Sequence, residues 1–202
     1  VRMAKSFGRA LHRYAPWLAV VVVYLGLGFV TRLTLWARFG LDADVALTRL
    51  PWILLAGTVN DAIESLYLFA PLALYILVVP DRWFRARAHC VLLYGVVALV
   101  VASLLYLTAA EYFFFEEFDA RFNLVAFDYL VYPAEVFVDI WEVYPVVPGL
   151  LASLTLGAVL TWRLRRWLLP GDLPASSLRQ RLAPLLDMLP AAHTGKAARL
   201  LD

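Results

Sequence analysis

Two carboxylates lie one helical turn apart inside a strongly apolar stretch of this sequence. Asp61 and Glu64 belong to the run 51–79, and Asn60 precedes Glu64 by four residues. On insertion scales, an ionised side chain in the hydrocarbon core of a membrane costs about 2.5–3.5 kcal/mol, so such groups usually face a cavity or a partner. The three residues therefore predict a proton relay, an ion site or a polar contact with a lipid head group.

A structural interpretation of the same carboxylates remains open. Arg32 and Arg49 stand in neighbouring stretches, and either of them can neutralise Asp61 or Glu64 by pairing with it. The pair also follows Pro51 by only ten residues or so, which allows part of the stretch to lie above the hydrocarbon.

A second candidate site lies in segment 111–142, which holds eight acids and one base, Arg121. The acids are Glu111, Glu116, Glu117, Asp119, Asp128, Glu135, Asp139 and Glu142. Arg121, Asp128, Glu135 and Glu142 recur every seven residues and would share one polar face of a helix. The apolar residues Phe118, Phe122, Val125, Tyr129 and Tyr132 recur at steps of three and four. Pro133 favours a kink or a break. The pattern predicts an amphipathic helix pair lying in the outer membrane interface.

Arg121 admits two interpretations within this segment. Its planar guanidinium can hold a phosphate by two hydrogen bonds, beside Asn123 and Asp128, so that the segment presents a lipid head group or positions a partner domain. Alternatively, it pairs with Asp128 or with another acid nearby.

The elements that must position these residues are apolar helices. The 202 residues are 63% hydrophobic and 17% charged, with a mean hydropathy of +0.74, whereas a soluble domain is about 45–50% apolar. Crossing the hydrocarbon takes roughly 20 apolar residues. Four stretches qualify, at about 15–36, 51–79, 91–110 and 143–162. Because helices satisfy their own backbone hydrogen bonds in lipid, the sequence predicts an all-α, polytopic bundle of four spans.

The positions of arginine and lysine predict the orientation of the bundle in a bacterial inner membrane. Segment 1–14, the loop after the second span and the residues after the fourth span are basic, which indicates the cytoplasmic side. The acidic segment 111–142 then lies outside, and the N-terminus is cytoplasmic. We expect a transmembrane domain over 1–166 and a cytoplasmic tail, amphipathic or disordered, over 167–202.

Several other patterns have weaker functional content. Gly149, Ser153 and Gly157 form a face of small residues in the fourth span, which predicts close helix packing within the chain or a dimer seam. The single cysteine provides no disulfide or thiolate metal site, and a net charge of +2 does not indicate a nucleic-acid partner. The sequence shows no nucleophile–base pair, zinc motif or dinucleotide fingerprint, so we expect no catalytic residue and no cofactor in this chain.

Residues within 118–145 carry a family resemblance. They are Phe118, Arg121, Phe122, Asn123, Ala126, Asp128, Tyr129, Leu130, Tyr132, Glu135, Val136, Asp139, Ile140, Glu142, Tyr144 and Pro145. This cluster resembles the signature segment of lipoteichoic-acid-synthase-like proteins, the membrane phosphoglycerol transferases of the sulfatase superfamily, here of the Gram-negative type. The stretch from Asp61 through Pro71 and Pro80 is similar to the same family.

The resemblance implies a membrane domain of five helices, followed by an extracytoplasmic domain that carries a divalent metal and a threonine nucleophile. That domain transfers phosphoglycerol or phosphoethanolamine from a phospholipid. The tail at 178–189 stands where the fifth helix would begin. We therefore expect this chain to be the membrane anchor and lipid-presenting module, with a separate sulfatase-like domain as a partner. The alternatives are a non-catalytic lipid-binding or regulatory protein and a small transporter subunit.

Overall fold

The computed structural model describes residues 13–40, 43, 45–84, 86–121 and 133–168, and these residues form helices and turns without a strand. The all-α prediction is thus confirmed for the described part of the chain. Its α-helices are α1 Ala15–Leu35, α2 Leu50–Leu68, α3 Ala70–Val78, α4 Asp81–Phe84, α5 Arg87–Phe118, α6 Pro133–Val143 and α7 Val146–Leu168. A π-helical turn, Trp36–Gly40, extends α1.

Three of these helices are long and apolar enough to cross a membrane. They are Ala15–Gly40, Arg87–Phe118 and Val146–Arg166. The predicted second span is instead a bent pair, in which the segments Leu47–Leu68 and Ala70–Val78 meet at 46°. The bend lies at Phe69, directly before Pro71, whose ring excludes a continuous hydrogen-bond ladder.

Helices α1, α3 and α5 share an apolar core, while α2 packs on α1 and α7 packs on α5. Val20 of α1, Ile76 of α3 and Val97 of α5 are among its most deeply buried members. The exposed faces are also rich in large apolar side chains, such as Val91 and Trp52. Lipid tails are a suitable solvent for such a surface, whereas water is not.

An ion pair closes one end of the bundle. Arg13 donates to Asp81 Oδ1 at 2.6 Å and to the carbonyl oxygens of Ile76 and Val79. Its guanidinium also lies 4.6 Å from the centre of the Phe84 ring. The carbonyls at the end of α3 thereby gain partners that the helix itself cannot supply. We call this end of the bundle the Arg13 end, and the opposite end the Arg32 end.

The small-residue face of α7 packs against α5. A Cβ added at Gly157 would lie 2.8 Å from the Cβ of Ala102, and one added at Gly149 would lie 3.8 Å from Tyr106. Ser153, between them, is 6% exposed. The glycines thus let the two helices approach closely within one chain.

The helix boundaries differ from the predicted spans in two places. Helix α5 does not stop near residue 110 but continues to Phe118, where Asp119 adopts the left-handed conformation with φ 49°. Residues 111–118 therefore prolong the third span rather than starting an interfacial helix. After the break at Pro145, α7 begins at Val146.

Candidate functional site

A cavity of about 250 Å³ opens between α1, α2 and α5 at the Arg32 end. Its walls combine leucine side chains with polar ones. The polar residues that line it are Tyr24, Thr31, Asp61, Thr108, Glu111 and Arg121. Two of the predicted site residues, Asp61 and Arg121, thus face the same space although 60 positions separate them in the sequence.

Asp61 is neutralised by Arg32 in a two-pronged ion pair. Arg32 Nη1 donates to Oδ2 at 2.5 Å, and Nη2 donates to Oδ1 at 2.7 Å. Both side chains are at most 7% exposed. Charged groups tolerate such burial only when they are paired and hydrogen-bonded, and the planar fork of arginine matches both carboxylate oxygens. Of the two arginines considered from the sequence, Arg32 is the partner, while Arg49 is exposed.

Two glycines make room for this pair. A Cβ at Gly57 of α2 would overlap Arg32, with Cζ only 2.5 Å away, and a Cβ at Gly28 of α1 would overlap the carboxylate of Asp61. Each glycine precedes its charged residue by four positions, one turn earlier on the same helix face. Thus Gly28 and Arg32 on α1 face Gly57 and Asp61 on α2, and each charge lies over the bare backbone of the other helix.

Glu64 lies one turn after Asp61 and is held by neutral donors. The hydroxyl of Tyr24 donates to Oε2 at 2.9 Å, and the side-chain amide of Asn60 donates to Oε1 at 2.6 Å. Within the described ranges, no arginine or lysine pairs with Glu64. Its side chain is exposed, and Glu64 does not itself line the cavity, although Tyr24, which donates to it, does.

Arg121 lies at the mouth of the cavity and pairs with Glu111. Its Nε donates to Glu111 Oε1 at 2.5 Å, and the side chains are 42% and 15% exposed. Burial acts to lower the pKa of Arg121, but the hydrogen bond and charge of Glu111, together with the charges of Asp61 and Glu64, raise it. Arg121 is thus a permanent cation, and the structural interpretation of pairing with a nearby acid applies to it, with Glu111 as that acid.

The remaining residues of the candidate set are dispersed or outside the described ranges. Glu142 is exposed on α6, while Gly149, Ser153 and Gly157 lie in the α5–α7 contact, away from the cavity. Asn123, Asp128, Tyr129 and Tyr132 lie outside the described residues, as do the side chain of Glu135 and the predicted tail from residue 169 onwards, while residues 167 and 168 of that tail continue α7.

Sequence reasoning missed four members of the site: Tyr24, Glu111, Gly28 and Gly57. The two glycines carried a usable signal, because Gly-x-x-x-Arg and Gly-x-x-x-Asp recur in adjacent apolar stretches. Such a pairing predicts opposite charges that cross between close helices. Tyr24 and Glu111 had no comparable signal, because Tyr24 is a single aromatic residue in an aliphatic run and Glu111 is one of eight acids in segment 111–142.

Across the parts of the chain that the structure describes, no group of three or more His, Cys, Asp or Glu residues is arranged to hold a metal ion. Comparisons with protein-family models, with curated proteins and with solved structures find no match to this chain. The function must therefore be inferred from the bundle and its cavity.

Proposed function

We propose that this chain is the membrane anchor and lipid-presenting module of a phospholipid-head-group transferase in a bacterial inner membrane. In this proposal the bundle crosses the membrane four times, the N-terminus is cytoplasmic and the Arg32 end faces outwards. The observation that carries the proposal is the cavity between α1, α2 and α5, whose lining combines leucine side chains with polar and charged ones that include Arg121. The head group of a phospholipid fits the polar residues of such a cavity, and its acyl chains fit the exposed apolar surface of the surrounding helices.

The spacing of the two ion pairs supports a position of this cavity at head-group level. Nineteen residues separate Arg13 from Arg32, which at 1.5 Å per helical residue is about 28 Å. No charged residue stands between them. This distance matches the hydrocarbon thickness of about 30 Å. The two buried arginines thus mark the borders of the apolar layer, and the cavity lies at one border instead of at the membrane centre.

The bent pair α2–α3 supports four crossings. Asp61 on α2 binds Arg32 at one end of α1, and Asp81 after α3 binds Arg13 at the other end. The chain between the two acids therefore passes from one border of the apolar layer to the other, despite the 46° bend. The bent pair counts as one span in this arrangement.

Arg121 has donors left for a head group. Within the described residues, only its Nε is engaged, by Glu111. The four hydrogens on Nη1 and Nη2 form a fork that suits two phosphate oxygens. At an exposed fraction of 42% the side chain remains accessible from the mouth of the cavity.

Helix α6 would lie in the membrane interface at the same end of the bundle. Its residues Phe137, Ile140 and Trp141 are between 43% and 60% exposed, and Phe137 stacks on Trp141 with ring centres 5.5 Å apart. Exposed aromatic residues on a short amphipathic helix are typical of insertion at head-group depth. In the proposal, chemistry is supplied by a separate sulfatase-like domain that works above this surface. The alternative is a lipid-binding or regulatory protein that uses the same cavity.

Lipid retention by an Arg121 variant tests the proposal. We expect Arg121→Gln to reduce phospholipid bound after detergent purification about tenfold or more, because a charge-assisted hydrogen bond contributes about 1.5–3 kcal/mol. Native mass spectrometry of the bound lipid measures this loss. Arg49→Gln is the matched control, since Arg49 is exposed at the same end but does not line the cavity. Equal retention by the two variants would refute the head-group site.

A further inference from the structure

The polar cluster formed by the cavity, by Arg32 behind it and by Glu64 beside it carries more negative than positive charge. Arg32 is balanced by Asp61, and Arg121 is balanced by Glu111. Glu64 adds a further carboxylate, which binds the neutral donors Tyr24 and Asn60. With all five groups ionised, two cations face three anions, so the cluster has a net charge of −1.

The segment that follows Arg121 does not supply a balancing cation. From residue 122 to residue 162 the sequence contains no arginine and no lysine, whereas it contains Asp128, Glu135, Asp139 and Glu142. Whatever the position of segment 122–132, it can only add negative charge to this end. A ligand that carries its own cation beside its phosphate leaves this net charge unchanged, whereas a purely anionic ligand makes it more negative.

Glu64 is prepared to receive such a cation. Tyr24 and Asn60 each hold one of its two oxygens, which fixes the orientation of the carboxylate. Each oxygen can accept a further hydrogen bond, because a carboxylate has about four acceptor positions. Tyr24 itself lines the cavity, so its hydroxyl links the wall to Glu64. Glu64 is also exposed, which leaves it open to a ligand.

We propose that the cavity selects a zwitterionic head group, with its phosphate on Arg121 and its primary ammonium on Glu64. This inference rests on the proposed function, in which the cavity binds a phospholipid head group. An ethanolamine-type phospholipid has both charges and no net charge. A glycerol-type head group has the phosphate alone, so it adds a second negative charge to a cluster that already has one in excess.

The size of the cavity agrees with a head group. About 250 Å³ is below the 300–1,000 Å³ typical of pockets for drug-sized ligands. This volume is the volume that roughly eight molecules occupy in liquid water, at about 30 Å³ each. The acyl chains would remain outside, against the exposed apolar surface of the helices.

Competition between two lipids tests the selection. The protein is reconstituted into vesicles with equal amounts of phosphatidylethanolamine and phosphatidylglycerol, extracted again, and analysed for bound lipid by native mass spectrometry. We expect bound phosphatidylethanolamine to exceed phosphatidylglycerol. The substitution Glu64→Gln should lower this ratio about twofold to fivefold, the effect expected of a partly exposed ion pair. Glu117→Gln is the control, because Glu117 is also an exposed acid at this end, whereas Glu64 is bound by Tyr24 of the cavity wall.

The outcomes separate this inference from the proposed function. An unchanged lipid ratio in Glu64→Gln, with retention still dependent on Arg121, overturns the selection and leaves the head-group site intact. Retention that does not depend on Arg121 overturns both. Free phosphoethanolamine, added as a competitor, tests whether the site binds the soluble head group or only the whole lipid. If free phosphoethanolamine displaces the bound lipid, the soluble head group is sufficient for binding. If it does not, the rest of the lipid is needed as well. In both cases the ammonium discriminates between the two head groups.

Discussion

Arg32 and Asp61 depend on residues that have no side chain. The guanidinium crosses α2 over Gly57, and the carboxylate crosses α1 over Gly28. The pair is almost fully buried, so its attraction must offset the desolvation of both charges. The attraction offsets this cost only if both hydrogen bonds between Arg32 and Asp61 keep their geometry. The two glycines supply that geometry by letting each charged group lie on the opposite backbone.

At this scale we predict that Gly57→Ala destabilises the protein by breaking the ion pair. The new methyl group would overlap Arg32, which must swing away from Asp61 and leave a buried carboxylate without its partner. Breaking a buried pair typically costs about 3–5 kcal/mol. Reversible unfolding in mixed detergent measures the loss. Gly26→Ala is the control, because a Cβ at Gly26 of α1 meets nothing within 4 Å. Similar unfolding curves for both variants would contradict the prediction.

The site could be predicted from the sequence only as separate residues. Asp61 and Arg121 were candidates because charge in or beside an apolar stretch is costly. Their partners were not determined, since Arg32 and Arg49 both precede Asp61 and the sequence does not state the register between two helices. The choice depends on which residues face the neighbouring helix, and here it is the glycine one turn before each charge that decides it.

At the scale of elements, the contact between α5 and α7 sets the width of the bundle. Gly157 approaches the backbone nitrogen of Ala102, where an added Cβ would lie 2.8 Å away. Thr161, one turn later, is fully buried and donates to the carbonyl of Gly157 at 2.7 Å. In lipid, where no hydrophobic effect drives helices together, such close packing is the main source of association.

We predict that Gly157→Leu separates α7 from α5 and lowers the stability of the bundle. Overpacking of a close contact typically costs about 1–3 kcal/mol, and a contact with backbone atoms cannot relax by a change of rotamer. Cross-linking between cysteines placed at Leu105 and Ser153 in a Cys90→Ser background reports the helix distance, and detergent unfolding reports stability. Gly95→Leu on α5 is the control, since its added Cβ meets no atom within 4 Å. A Gly157→Leu variant that cross-links like Gly95→Leu would contradict the prediction.

Helix type was more predictable than helix length. The apolar runs indicated helices, and Pro71 indicated the bend, because both depend on local chemistry. The residue at which α5 ends was not evident from the sequence. The acids and aromatic residues at 111–118 are compatible with a helix that continues beyond the apolar layer. Only the left-handed Asp119 ends it. The packing of Phe39 on Tyr112 and Phe115 supports the prolonged helix, and that contact joins residues too distant in sequence to be paired from their spacing.

At the scale of the whole molecule, the two ends of the bundle carry opposite charge. In the described ranges, the Arg13 end has six arginines against one acid, Asp81. The arginines are Arg13, Arg82, Arg87, Arg163, Arg165 and Arg166. The Arg32 end has more acids than bases, from Asp61 to Glu142. Retention of positive residues on the cytoplasmic side orients membrane proteins, so this separation favours the Arg13 end inside.

Thiol labelling from one side of the membrane tests both this orientation and the bent pair. In a Cys90→Ser background, cysteines are placed singly at Thr48, before α2, and at Ala86, after α4; both positions are exposed. We expect a membrane-impermeant maleimide to label Thr48→Cys in intact spheroplasts. Ala86→Cys should react only after permeabilisation, because α2 and α3 together carry the chain across.

The labelling outcomes separate the two possible roles of the bent pair. If α2 and α3 form a re-entrant loop, the chain enters and leaves on one side, and both cysteines react from the same side. If the whole bundle is inverted, Ala86→Cys reacts in intact spheroplasts and Thr48→Cys does not. Ala86→Cys is decisive because Asp81, close to it in the chain, binds Arg13 at the start of α1. The side of the membrane on which Ala86→Cys reacts is therefore also the side on which α1 begins. Only labelling of Thr48→Cys from outside and of Ala86→Cys from inside leaves the Arg32 cavity where an outer-leaflet lipid can enter it.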